Sequence, residues 1–208
     1  GNKIGIQAGG SPVKGNYIGT NAAGTAAIPN TQAGIQTGNN GITIGGSGAG
    51  EGNLISGNGG GSGPGLTGGI LVSSNNVTIL GNLIGTDATG TSALGNTGYG
   101  ILFQVGSQGV IGGTGAGEAN TIAYNTGDGV AITAGASKDS IRGNRIYDNG
   151  GLGIAFDNNP GSNDQQGAPE IRGVTPTAGG MFAMIFFDTT PNTTCTVDYY
   201  ASASCDPS

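Results

Sequence analysis

Short apolar segments recur along the chain and are separated by turn residues. One segment is marked by the tetrad Gly-Asn-x-Ile, as at Gly15-Asn16-Tyr17-Ile18. A second follows a glycine, as in Gly69-Ile70-Leu71, and a third precedes the next tetrad, as in Ile42-Thr43-Ile44. Apolar and polar positions alternate within these short runs, so the pattern predicts β-strands, three to each repeat.

The spacing of the tetrads defines the repeat. Successive tetrad asparagines are 37, 29, 38 and 24 residues apart, so long and short coils alternate and the true repeat is a pair of coils. The segment IGTNAAGTAAIPNT from Ile18 recurs as IGTDATGTSALGNT from Ile84, and IGGSGAGEGN from Ile44 recurs as IGGTGAGEAN from Ile111. Such a period is typical of a solenoid. We therefore predict an all-β fold, a right-handed, three-sided parallel β-helix of about five coils over residues 1–157.

Asparagine occupies the same tetrad position in every coil. An inward asparagine at a turn between two sheets satisfies backbone groups that the strands leave unpaired, and its amide can bond to the asparagine of the next coil. The sequence therefore predicts a structural ladder formed by Asn16, Asn53, Asn82, Asn120 and Asn144.

The repeat pattern stops near Asp157. Residues 158–175 are polar and read as a linker, and residues 176–208 contain two strand-like runs joined by TTPNTT, which predicts a β-hairpin. This element either caps the open end of the solenoid or is part of a β-sandwich domain. Cys195 and Cys205 would pair in an oxidising compartment and stay free in a reducing one.

Composition excludes several classes of function. Glycine occurs 47 times in 208 residues, charged residues make up 9%, and there is no histidine. The net charge is −6, and no lysine or arginine lies between Lys14 and Lys138. Binding to nucleic acid or to an anionic membrane needs clustered cations, so both are disfavoured. No apolar run is long enough to span a bilayer. The lack of histidine removes the commonest zinc ligand and general base.

Two groups of residues are candidates for chemistry. Acidic and basic residues cluster together only in the last coils. The candidates for a catalytic role are Asp128, Lys138, Asp139, Arg142, Arg145, Asp148 and Asp157. Glu51 and Glu118 occupy matching places in two Gly-Ala-Gly-Glu loops, where a carboxylate either bonds the amides of its own turn or holds calcium. The turn role is favoured, so no cofactor is expected and calcium is the alternative.

The tetrads, NLIGTDATGTSALGN from Asn82 and GGLGIAFDNN from Gly150 resemble bacterial parallel β-helix repeat proteins of the pectate-lyase-like superfold. The tail PNTTCTVDYYASASCDPS is similar to the β-rich segment that often follows such repeats. This superfold includes polysaccharide lyases, hydrolases, epimerases, tailspikes and adhesins, so the resemblance specifies an architecture and leaves the activity open.

The function expected from these features is a non-catalytic, extracellular scaffold or surface-adhesion module that contacts glycans. The chain lacks the histidine and the adjacent aspartates of polygalacturonase-type hydrolases. The alternative is a polysaccharide lyase or glycoside hydrolase with its site on the last coils. We expect a secreted or cell-surface bacterial protein whose partners are extracellular polysaccharide, a cell surface, or a second copy meeting an open coil end.

Overall fold

The structure is a computed structural model that describes residues 1–60, 66–156, 170–177 and 180–186. Within these ranges the chain forms strands and turns and no helix. The strands are β1 (Ile4–Ala8), β2 (Tyr17–Ile18), β3 (Ala33–Thr37), β4 (Thr43–Gly45), β5 (Leu54–Ile55), β6 (Gly68–Val72), β7 (Thr78–Leu80), β8 (Leu83–Ile84), β9 (Tyr99–Ser107), β10 (Val110–Ile111), β11 (Thr121–Ala123), β12 (Val130–Ser137), β13 (Ser140–Ile141), β14 (Arg145–Tyr147), β15 (Ile154–Phe156), β16 (Glu170–Thr177) and β17 (Gly180–Phe186).

Strands from successive turns of the chain pair side by side and form three parallel sheets. The first sheet has the order β1-β3-β6-β9-β12-β15, the second β4-β7-β10-β13, and the third β2-β5-β8-β11-β14. In the first turn the place in the second sheet is taken by Val13, which bridges to Ile44 in parallel. Each turn thus contributes one strand to each sheet in a fixed order. The all-β architecture with parallel sheets is confirmed, and it is consistent with a β-helix solenoid.

The apolar core consists of columns of isoleucine that run from coil to coil. In the third sheet the register aligns Ile18, Ile55, Ile84, Ile122 and Ile146. All five side chains are buried, and the three central ones have no exposed surface. Because burying an isoleucine side chain stabilises a fold by about 1.5–3 kcal/mol, these columns supply much of the driving force for stacking the coils.

The five tetrad asparagines hydrogen-bond to one another along one corner of the coils. Asn53 donates from its backbone N and its Nδ2 to Oδ1 of Asn82, at 3.0 and 2.9 Å. Asn82 donates in the same way to Asn120, and Asn120 to Asn144. In the last four members Nδ2 also donates to a backbone carbonyl of the coil before, as from Asn82 to Ile44 at 3.0 Å. These bonds form the asparagine ladder that the repeated tetrad predicted.

A second ladder, which the sequence analysis did not identify, runs along another corner. Its members are Asn30, Asn58, Asn96, Asn125 and Asn149, and all five are buried. Asn58 donates from N and Nδ2 to Oδ1 of Asn96, both at 3.0 Å, and Asn96 donates to Asn125 at 3.2 and 2.9 Å. From the second coil onward, two corners of each coil are therefore fixed by buried side-chain amides.

The glycine of the tetrad is required where a neighbouring loop crosses it. Gly81 has a φ of +66°, a conformation that side-chain-bearing residues rarely adopt. A Cβ at this position would overlap the carbonyl oxygens of Gly46 and Gly117, which come from the loops of the coils on either side. The tetrad therefore combines an asparagine that fixes the corner with a glycine that lets adjacent loops close over it.

Beyond the three parallel sheets, β16 and β17 pair in antiparallel fashion. The strand β16 begins at Glu170, inside the stretch expected as a linker. The second run of the expected hairpin, residues 195–201, lies outside the described residues, as do Asp157, Cys195 and Cys205. Among the residues that the structure covers, no helix is long and apolar enough to cross a membrane.

Candidate functional site

A groove lies on the outer face of the third sheet, between two sets of long loops. The first set follows the second sheet in alternate coils and consists of residues 46–53 and 113–120, here called the GAGE loops. The second set follows the third sheet in the other coils and consists of residues 20–27 and 86–93, here called the TxxxGT loops. At each of these two corners, long and short loops alternate from coil to coil. The two loops of a set therefore stack on each other over the tight turn of the coil between them.

Each GAGE loop is closed by its own glutamate. Glu118 accepts a hydrogen bond at Oε2 from the backbone N of Gly115 at 2.8 Å, and Glu51 accepts one from Gly48 at 3.2 Å. Glu51 also pairs with Lys14 at 2.8 Å. The Lys14 ammonium, followed by the Gly48 amide, lowers the pKa of the Glu51 carboxyl below its ordinary value. Both glutamates thus serve their own turns.

Each TxxxGT loop is organised by one side chain at its second position. Asp87 accepts from the hydroxyl of Thr89 at 2.7 Å and from the backbone N of Thr91 and Ser92 at 3.3 and 3.2 Å. The Thr89 hydroxyl is the largest contribution that lowers the pKa of Asp87. Asn21 has the same role in the first loop and accepts from the backbone N of Thr25 at 2.9 Å.

The TxxxGT loops fold over the outer face of the third sheet and contact each other. Ala88 donates its backbone N to the carbonyl of Gly24 at 3.0 Å. A Cβ on Gly24 would lie 2.7 Å from Leu54 Cδ2, and one on Gly90 would lie 3.2 Å from Leu83 Cδ2. The two glycines therefore allow the loops to pack directly on the leucines of the sheet.

The groove has a volume of about 640 Å³. Leu54 and Leu83 line its floor, glycine backbone of the GAGE loops lines one wall, and Ala88 lines the other. Tyr17 lies at the end nearest the first coil, with its side chain 52% exposed. No charged side chain lines the groove among the described residues. No motif in the sequence marks this site, because the groove depends on how loops from different coils meet.

Two tyrosines hold the second TxxxGT loop at the far end. Tyr124 donates its hydroxyl to the carbonyl of Thr91 at 3.2 Å, and Tyr147 donates to that of Gly90 at 3.3 Å. The two rings meet edge to face with centroids 5.7 Å apart, and the guanidinium of Arg145 lies 5.9 Å from the centre of the Tyr147 ring. Burial is the main reason that the pKa of Tyr147 is raised.

The candidate catalytic residues are distributed around the last coil. Lys138 and Asp139 lie at the turn between the first and second sheets, and Arg142 lies between the second and third. Arg145 is on the third sheet, and Asp148 follows it. Lys138 and Asp139 therefore share one corner, Arg142 and Arg145 lie on either side of a second, and Asp148 lies at the third.

Asp128, another member of this set, precedes β12 and accepts a hydrogen bond at Oδ1 from the backbone N of Leu152 at 2.8 Å. Asp139 accepts one at Oδ1 from the backbone N of Gly109 at 2.7 Å. Both carboxylates thus fix the backbone of a neighbouring coil. Within the described part of the chain, no group of three or more aspartate, glutamate, cysteine or histidine residues could hold a metal ion.

The fold and the groove define an all-β protein of parallel stacked strands with a loop-walled surface site. Comparison with family models, with curated proteins and with solved structures finds no match for this chain. The function is therefore argued from the geometry of the site itself.

Proposed function

We propose that this chain is a non-catalytic extracellular scaffold that contacts glycans or a cell surface through the groove on its third sheet. The observation that carries the proposal is the position of the groove on a frame that two buried asparagine ladders and three sheets hold in place. A rigid frame lowers the entropy cost of binding, because the groove is formed before its ligand arrives.

The chemistry of the groove favours contact over reaction. Its lining consists of backbone, small side chains, two leucines and one tyrosine. A lyase needs a base beside the acidic carbon of its substrate, and a hydrolase needs two carboxyl groups that flank the scissile bond. The described candidate residues are spread over three corners of the last coil, and none of them lines the groove, which supports the scaffold over the enzyme. Three further points belong to this proposal: the right-handed winding of the coils, the likeness to the pectate-lyase-like superfold and the secreted location.

The test measures binding and turnover on the same panel of polysaccharides. We expect retention of the folded chain by at least one glycan in affinity electrophoresis, and no retention of the heat-unfolded chain. We also expect no new reducing ends and no new unsaturated ends, with or without calcium. Turnover that is lost in Arg142→Ala or Arg145→Ala would contradict the scaffold and favour the polysaccharide lyase or hydrolase. Absence of binding to every glycan and to cell surfaces would remove the proposal.

A further inference from the structure

We infer that the groove selects an uncharged, linear polysaccharide chain that runs along the axis of the coils. This inference rests on the proposed function and adds the class of ligand and the site that takes it. It depends on three observations: the neutral lining of the groove, its direction across the strands, and the exposed ring at one end.

The charge of the groove disfavours an acidic polymer. The nearest cation at its mouth, Lys14, is paired with Glu51 at 2.8 Å. At the far end, Arg145 stands over the ring of Tyr147 and does not contribute to the lining. The chain as a whole carries a net charge of −6, so a uronate polymer would meet net repulsion and no free cation in the groove.

The direction of the groove fits a chain with one unit per coil. The lining comes from successive coils, from Tyr17 in the first to Ala119 in the fourth. Adjacent parallel strands are about 4.8 Å apart, so the groove spans about 14 Å. The distance between adjacent strands is close to the length of one sugar ring in an extended polysaccharide. About three rings would therefore lie in the groove, each beside one coil.

The lining also fits sugar chemistry. Tyr17 presents a half-exposed ring against which the apolar face of a pyranose can stack. The peptide groups of the Gly46–Gly50 segment supply donors and acceptors for hydroxyls, and the three glycines at positions 46, 48 and 50 let a ligand approach the backbone closely. Substituents on the sugars would collide with the loop walls, so an unbranched chain is favoured.

The experiment measures the affinity of the full chain for soluble neutral glucans, mannans and xylans and for polygalacturonate and alginate, by affinity electrophoresis and calorimetry. We expect binding to a neutral polymer at least about tenfold tighter than to the uronates. Affinity for oligomers should rise up to about three sugar units and then level off. Preference for a uronate would overturn the ligand class and leave the proposed function standing.

Matched variants test the site. Ser47 is exposed and lines the groove, so Ser47→Trp should fill it and weaken binding at least about tenfold. Ser140 is exposed on the outer face of the second sheet, so Ser140→Trp is the control and should bind normally. Tyr17→Ala should weaken binding, and Tyr17→Phe should retain it because the stacking ring remains.

The outcomes separate the inference from the function. Glycan binding that is equal in Ser47→Trp and in Ser140→Trp would overturn the inference and the groove as the contact surface, and would leave a glycan-contacting scaffold standing. Competition by an uncharged extended peptide, with no competition by any oligosaccharide, would overturn the ligand class. Absence of all glycan and cell-surface binding would end both proposals. Circular dichroism of each variant verifies that it folds.

Discussion

Asparagine links adjacent coils at two corners of this molecule because its side chain carries both a hydrogen-bond donor and an acceptor. In the second ladder, Asn96 has no exposed surface. Its Oδ1 accepts two bonds from Asn58, and its Nδ2 donates to Asn125 and to the carbonyl of Ile55. One residue therefore satisfies buried groups on three neighbouring stretches of chain, and few other side chains could do so.

Replacing Asn96 should be costly. In Asn96→Ala the backbone N of Asn58 and the carbonyl of Ile55 lose their side-chain partner in a buried site, and each such group costs about 1–3 kcal/mol. We expect the free energy of unfolding in urea to fall by about 3 kcal/mol. Asn30→Ala is the control, because Asn30 ends the ladder with one side-chain bond, to Asn58, and should cost about 1 kcal/mol. Equal losses in the two variants would argue against cooperative stacking.

Gly81 should be similarly intolerant of a side chain. In Gly81→Ala the methyl group meets two loop carbonyls at a φ of +66°, so we expect a loss of at least about 2 kcal/mol in stability. At Gly10 no atom lies within 4 Å of an added Cβ, so Gly10→Ala should leave the thermal midpoint unchanged. Tolerance at Gly81 would mean that the GAGE loops do not close over this corner.

Both ladders leave a signal in the sequence, but only the first is marked by one uniform motif. The asparagines of the first ladder share flanking residues, so the repeated tetrad identifies them in the sequence: Asn16, Asn53, Asn82, Asn120 and Asn144. Three members of the second ladder, Asn58, Asn125 and Asn149, each follow a tetrad asparagine by five residues, and Asn30 and Asn96 hold the same place in the matched segments from Ile18 and Ile84. A TxxxGT loop precedes only Asn30 and Asn96, so the spacings of 28, 38, 29 and 24 residues fall out of step with those of the first ladder and no single motif marks all five members.

At the scale of elements, the long loops are individually simple, and the groove forms where they stack. The two TxxxGT loops pair at Gly24 and Ala88, and the two GAGE loops meet on either side of Gly81. Equivalent loops meet because the coil between them turns the same corner tightly. The groove therefore follows from the alternation of long and short coils.

The second TxxxGT loop should depend on pH. The pKa of Asp87 is lowered in the folded loop, so its contribution to stability is present at neutral pH and is lost as the pH falls below about 3.9 and through the folded pKa. Below that point the amides of Thr91 and Ser92 should exchange faster with solvent. Amide exchange followed by NMR measures this effect, and Asp87→Asn should remove the pH dependence while keeping the loop, as Asn21 does. Identical pH profiles in both forms would contradict this role.

The tyrosine contacts should hold one loop and not the other. Each hydroxyl bond contributes about 0.5–1.5 kcal/mol, so Tyr124→Phe with Tyr147→Phe should raise amide exchange across residues 86–93. Residues 20–27 serve as the internal control, because these two tyrosine hydroxyls do not bond to them. Equal changes in both loops would indicate global destabilisation.

The elements themselves were largely predictable, and the site was not. Alternating apolar positions predicted the strands, since inward isoleucines must repeat from coil to coil. The groove depends on contacts such as Gly24 with Leu54 and Gly90 with Leu83, which join segments far apart in sequence. No local pattern encodes such a meeting. The charged residues of the last coil were candidates because of their chemistry, but the described ones are spread over three corners and none lines the groove.

At the scale of the whole molecule, both proposals depend on coils stacked in register. The register places Tyr17, Leu54, Leu83, Thr121 and Arg145 in one row across the third sheet. The same stacking aligns the ladders, brings equivalent loops together and gives the groove its direction. A chain that wound differently would have neither the ladders nor the site.

The most direct test is the distance between spin labels placed at Tyr17→Cys and Arg145→Cys, measured by double electron–electron resonance. Both positions are exposed on the third sheet and are separated by four strand spacings, or about 19 Å. Cys195→Ser and Cys205→Ser would confine the labels to these two sites. If the coils stack in register, the distance between the labels should show one narrow distribution near that value, broadened only by the label linkers. A broad distribution, or one centred at twice that distance, would contradict the stacking of the coils.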